Sequence, residues 1–143
     1  MFSSNKSILP PVERTHYYIV LKELKDVLEL NYLGSVLIDN KFRIVESHAV
    51  KKNNNEELSE SVVAILKRFK KFKGKSRIPL GGELFPFKRL ILSLKDSYLT
   101  LLLSNHYAFA LYLGKENLNI GTILNIICPK IDDLLLYLEK VKK

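Results

Sequence analysis

One cysteine, one methionine and no tryptophan occur among the 143 residues. Cys128 alone cannot close an internal disulfide or hold a structural zinc ion of the usual kind, and it reads as a small packing residue. The longest mainly apolar stretch, Tyr98 to Leu113, is broken by Ser104-Asn105-His106 and is too short to span a bilayer. MFSSNKSILPP lacks the apolar centre of a signal peptide, so a reducing cytoplasm is the expectation, with no membrane insertion. Six Gly and five Pro beside 47% hydrophobic and 27% charged residues exclude a disordered composition.

Catalytic and metal patterns are also missing. No His-x3-His, Cys-x2-Cys or carboxylate cluster has ligand spacing. Gly81-Gly82-Glu83 matches neither phosphate-cradling glycine motif and reads as a turn. His16, His48 and His106 are scattered over a helix, a strand end and a connector, and read as surface or turn residues. No catalytic, metal or cofactor residue is expected, so the chain does not read as an enzyme.

Positive charge, by contrast, is abundant and concentrated. The formal net charge is +8, and LKRFKKFKGKSRIP (Leu66 to Pro79) carries seven Lys or Arg and no acid. Phe69 and Phe72 could stack bases there. Yet they continue a stripe of Leu58, Val62 and Ile65 at helical spacing, and burying each ring is worth roughly 1.5–3 kcal/mol. The basic residues fall largely off that stripe. Glu56, Glu57 and Glu60 open the same helix, so acid at its start and base at its end also suit the helix dipole. What remains is a basic rim of Arg68, Lys71, Lys73, Lys75 and Arg77, which could meet water, an acidic protein, an anionic lipid surface or nucleic acid.

Hydrophobic period orders the elements. A helix is predicted from about Val12 to Leu30, then a hairpin of Leu33 to Asp39 and Phe42 to Ser47 around Asn40-Lys41. A second helix runs from about Asn55 to Lys73, and KSRIPLGGELFPF reads as a loop. Lys88 to Lys95, Tyr98 to Ser104 and Tyr107 to Gly114 form an antiparallel meander. The last helix, about Asn119 to Val141, has a stripe of Leu124, Ile127, Ile131, Leu134, Leu138 and Val141, with a kink expected at Pro129. The sum is an α+β fold: a five-stranded antiparallel sheet in helix-β-β-helix-β-β-β-helix order, one domain over 12–143 after a loose 1–11 segment.

In that order, LGSVLIDNKFRIVES, LILSLKDSYLTLLLSNHYAFALYLG and ENLNIGTILNIICPKIDDLLLYL resemble the roadblock/LC7 family of the roadblock–longin group, with its profilin-like layers. The match spans about 12–141. Asp39 stands at the family's hairpin Asp, whereas Phe42 replaces the Gly that usually follows three positions on. The resemblance implies a non-enzymatic cytoplasmic adaptor or scaffold, homodimeric or paired with a related roadblock protein, whose partner is a small Ras-like GTPase. It places Ser59, Val63, Leu66, Lys67 and Lys70 on a helix contact with the mate, and Leu90 and Leu92 on a strand contact. Two other functions compete: a PAS/GAF-like sensor, which needs an internal pocket, and a nucleic-acid binder using residues 67–77.

Overall fold

The computed structural model describes residues 9–50, 55–70, 77–80, 83–86, 89–116 and 118–142, without the side chains of 55–57, 68–70, 77–80, 83–86 and 142. Helix α1 (Pro11–Leu28) opens on Pro11, where the missing N–H has no partner to lose. Strands β1 (Tyr32–Asp39) and β2 (Ile44–Ala49) form a hairpin, and helix α2 (Asn55–Lys70) follows. Residues read as a loop contain a small antiparallel ladder, β3 (Arg77–Leu80) with β4 (Glu83–Pro86). Pro79 and Pro86 masked its strand character. The meander is β5 (Arg89–Ser93), β6 (Ser97–Leu103) and β7 (Tyr107–Gly114).

All pairings in the main sheet are antiparallel, in the order β2-β1-β7-β6-β5. The order confirms the expected α+β class and leaves β2 and β5 at the two edges. Because side chains alternate across a sheet, it has two apolar faces. Leu37, Leu102, Phe109, Leu111 and Leu113 point to a core shared with α1 and the last helix. Val36, Ile38, Leu99, Leu101, Ala108 and Ala110 point to the opposite face, where α2 adds Val62 and Leu66.

The last helix, α3, begins as one α-turn at Ile120–Thr122, passes through a π-turn at Ile123–Ile127 and continues as α-helix over Cys128–Lys142. Asn119 caps its start, accepting from the Thr122 N–H at 2.8 Å. Pro129 does not end it. The π-turn just upstream, where the Cys128 N–H reaches Ile123 O, takes up the residue that proline would otherwise force out of the ladder. The phase also changes: Ile123 is buried in place of the expected Leu124, which is exposed, as is Val141.

The hairpin differs from expectation in its second strand, expected over Phe42 to Ser47 and found over Ile44–Ala49. Phe42 lies in the turn at φ 63°, and β2 starts at Ile44. The Phe42 N–H reaches Asp39 O, and the Asp39 N–H reaches Arg43 O, each at 3.0 Å. This is a three-residue loop whose last position is left-handed, where glycine is the residue of least cost. The family's Gly therefore has a backbone reason.

Candidate partner interface

Among the described residues, two features that the resemblance points to leave hydrogen-bonding or side-chain surface unused. The first is the β5 edge. The Leu94 N–H donates to Ser97 O at 2.8 Å and closes the β5–β6 turn. Antiparallel pairing alternates from there, so Leu92 and Leu90 direct their backbone groups to β6. Arg89, Ile91 and Ser93 turn theirs outward. Among the described residues no strand pairs with this side of β5. Leu90 and Leu92, named for the strand contact, are half-buried against the α2-side core.

The second is the outer surface of α2. Its period sorts residues by depth: Val62, Leu66 (1% exposed) and Ser59 (3%) face the sheet, while Leu58, Val63 and Ile65 flank them half-buried. Glu60, Ser61, Ala64 and Lys67 are exposed. Ser59 and Leu66, placed on the helix contact by the resemblance, are thus already covered by their own chain and keep almost no side-chain surface for a mate. Their position follows from Val62, the centre of the buried stripe, which lies four before Leu66 and three after Ser59. Val63 retains part of its surface. Of the outward line Glu60, Ala64, Lys67, the acid and the base were legible from sequence and Lys67 was placed on the helix contact, whereas Ala64 was not singled out; its signal was the small side chain between them.

Lys67 is exposed and holds its Nζ 5.7 Å from the centre of the Phe42 ring, tying the end of α2 to the β1–β2 turn. Side chains of Arg68, Lys70 and Arg77 lie outside the described set, as do residues Lys71, Lys73 and Lys75 entirely. The expected burial of Phe69 and Phe72 falls there too.

The turn beside Lys67 is rigidly built. Asp39 Oδ1 accepts from the backbone N–H of Lys41 and of Arg43, each at 2.9 Å, and Oδ2 accepts from Arg43 Nε at 2.7 Å. Burial alone would raise this carboxyl, but the two N–H groups and the guanidinium outweigh it and hold it below its ordinary value. On edge strand β5, Arg89 pairs with Asp132 of α3 at 2.7 Å. The histidines do not converge: His16 stacks on Tyr137 at 4.1 Å, His106 binds Glu139, and His48 faces Lys25. No group of His, Cys, Asp or Glu among the described residues could hold a metal ion. Cys128 is fully buried, and burial first of all raises its thiol. Among the described residues no helix is long and apolar enough to cross a membrane.

No protein-family profile matches the sequence, and no curated protein matches it. Solved structures do. MglB of Myxococcus xanthus superposes at TM-score 0.70 with 13% identity, over 95% of this chain and 97% of that one. An MglB described with a tetrameric arrangement gives 0.58 at 13% identity, over 91% and 92%. A roadblock/LC7 domain from Streptomyces avermitilis gives 0.53 at 11% identity, over 76% and 87%. The fold of this chain is the roadblock/LC7 fold.

Proposed function

We propose that this chain is a non-enzymatic cytoplasmic adaptor, one roadblock/LC7-like domain over 12–143, that dimerises and binds or regulates a small Ras-like GTPase. The observation that carries the reading is the open β5 edge in a fold shared with MglB structures, one of them described as tetrameric. A second copy pairing its own β5 there would satisfy the outward groups of Ile91 and Ser93 and extend the sheet.

The outer line of α2 supports the same mating. In an antiparallel pair, Glu60 of one helix meets Lys67 of the other, while Ser61 and Ala64 let the backbones approach. The GTPase class rests on the family resemblance. The basic rim of Arg68, Lys71, Lys73, Lys75 and Arg77 would then lie beside the paired helices, where an acidic protein surface can reach it.

Two measurements test this. Light scattering at low micromolar protein and low salt should give twice the protomer mass, reduced by charge reversal at Lys67 and Lys70. A pull-down against nucleotide-loaded GTPases of the same genome should retain at least one, and binding to none would sink the partner assignment while leaving the dimer standing.

A further inference from the structure

On the face of the hairpin turned to α1, five polar side chains form one continuous chain. Lys25 Nζ lies 3.2 Å from His48 Nε2, and His48 Nδ1 lies 3.1 Å from Tyr32 Oη. Tyr32 Oη is 2.8 Å from Ser35 Oγ, which is 3.5 Å from Tyr17 Oη. An ammonium can only donate, so Nε2 must accept, and the proton of the neutral ring sits on Nδ1. Nδ1–H then donates to Tyr32, whose hydroxyl donates to Ser35. One cation on α1 therefore sets the direction of every bond down to β1.

That arrangement has no place for a second ring proton. An Nε2–H would point at Nζ, setting donor against donor and charge against charge at hydrogen-bond distance. Among the described residues the acid nearest along β2 is Glu46, whose Oε2 has no hydrogen-bond partner but faces an arginine rather than the ring. Glu46, two residues back on the same face of β2, already accepts from Tyr18 Oη at 3.2 Å and lies 3.7 Å from Arg14 Nε. On α1, Lys22 and Asp26 are exposed, and from β1 only the hydroxyls of Tyr32 and Ser35 face the ring. Lys25 has one other hold, its Nζ 5.4 Å from the centre of the Tyr32 ring.

We propose that Lys25, His48 and Tyr32 form an acid-sensitive latch that fastens the C-terminal half of α1 to edge strand β2 and releases when His48 takes up a second proton. Release swings Lys25 off Tyr32 and removes this tie to α1, so that the end of β2 is held by β1 and α2. Burial, and after it the Lys25 ammonium, keeps His48 below its ordinary 6.5, so the closed latch resists protonation until the pH falls past that value. Above 6.5 both folded and unfolded rings are neutral and the latch costs nothing. As the pH drops, the unfolded or released ring binds the proton first, and the closed state loses stability.

The test compares the full chain with Lys25→Met, which keeps an unbranched stem beside Tyr32 but carries no charge. His48 ring resonances are followed by NMR through acid titration. Backbone exchange of residues 45–49 is measured at about pH 5.5 and about pH 7.5, either side of the histidine range, after correction for intrinsic rates. In the unaltered chain His48 should titrate below 6.5, and residues 45–49 should exchange several-fold faster in acid. In Lys25→Met the titration should move up and the acid effect on exchange should vanish. A wild-type His48 titrating at or above 6.5, or an equal acid effect in both proteins, overturns the latch. Should Lys25→Met fail to fold, exchange in the unaltered chain still decides: equal protection of residues 45–49 at both pH values overturns the latch.

Discussion

Gly34 of β1 and Leu58 of α2 meet so closely that a Cβ on the glycine would stand 2.8 Å from Leu58 Cδ2 and 3.0 Å from the His48 carbonyl oxygen. This contact sets how near α2 lies to the sheet, and so how far its outer line stands from the β5 edge. Gly34→Ala should destabilise the chain by about 1–3 kcal/mol, the range for overpacking a filled core. Urea denaturation measures it. Because Leu58 can rotate and the carbonyl cannot, adding Leu58→Ala should restore only part of the loss.

Thr100 of β6 is fully buried, and its Oγ1 has no hydrogen-bond partner. Its cross-strand neighbours are Leu111 and Ile91, both set in the α1-side core. A buried hydroxyl without a partner costs about 1–3 kcal/mol, and valine keeps the branched shape without that cost. Thr100→Val should therefore raise the midpoint of thermal unfolding. A lower midpoint would mean that the hydroxyl has a partner in solution.

Ser93→Pro separates fold from assembly. The Ser93 N–H faces the open side of β5, so proline removes no bond to β6, and proline is tolerated on a strand edge in that orientation. Its ring blocks strand pairing across the edge. The variant should keep the far-ultraviolet circular dichroism of the parent while its mass in light scattering drops to one protomer.

Glu139 of α3 clasps the β6–β7 turn. Its Oε2 accepts from Ser104 Oγ at 2.6 Å and from the His106 N–H at 2.7 Å, and its Oε1 from His106 Nδ1 at 2.5 Å. Burial would raise this carboxyl, but the Ser104 and His106 donors prevail and hold it below its ordinary 4.5. A lowered folded-state value gives stability that is complete above 4.5 and is lost as the pH falls through the lower value. Glu139→Gln should cost about 1.5–3 kcal/mol near neutrality, as expected for hydrogen bonds to a charged acceptor. The gap between the two proteins should close progressively below 4.5; a gap that persists unchanged into acid would contradict it.

Much of this was legible in one dimension. Periods of two and of three to four residues gave the order of every helix and of the five strands in the main sheet, because burial of one face repeats at the element's own period. They failed where the backbone departs from its ordinary period. The π-turn at Ile123–Ile127 adds a residue to one turn and exchanges Leu124 for Ile123 in the core. Phe42 occupies a left-handed position that no apolar pattern marks. The β3–β4 ladder hides behind two prolines, since pairing of so short a segment leaves little periodic trace.

The amphipathic stripe of α2 could be read as a stripe, but which of its flanks lies deepest depends on the angle at which the helix crosses β1 and β2. Only packing sets that angle, and it put Ser59 and Leu66 beneath the helix while leaving Glu60, Ala64 and Lys67 outside. The sequence by itself determined the class of fold and the absence of ligand-spaced metal or phosphate motifs, because both are local in the chain. The tertiary structure alone decided that β2 and β5 are the edge strands of the main sheet and that Lys25 faces His48 across 23 residues. Those are distances between segments remote in sequence, fixed only when the whole sheet and its helices close together.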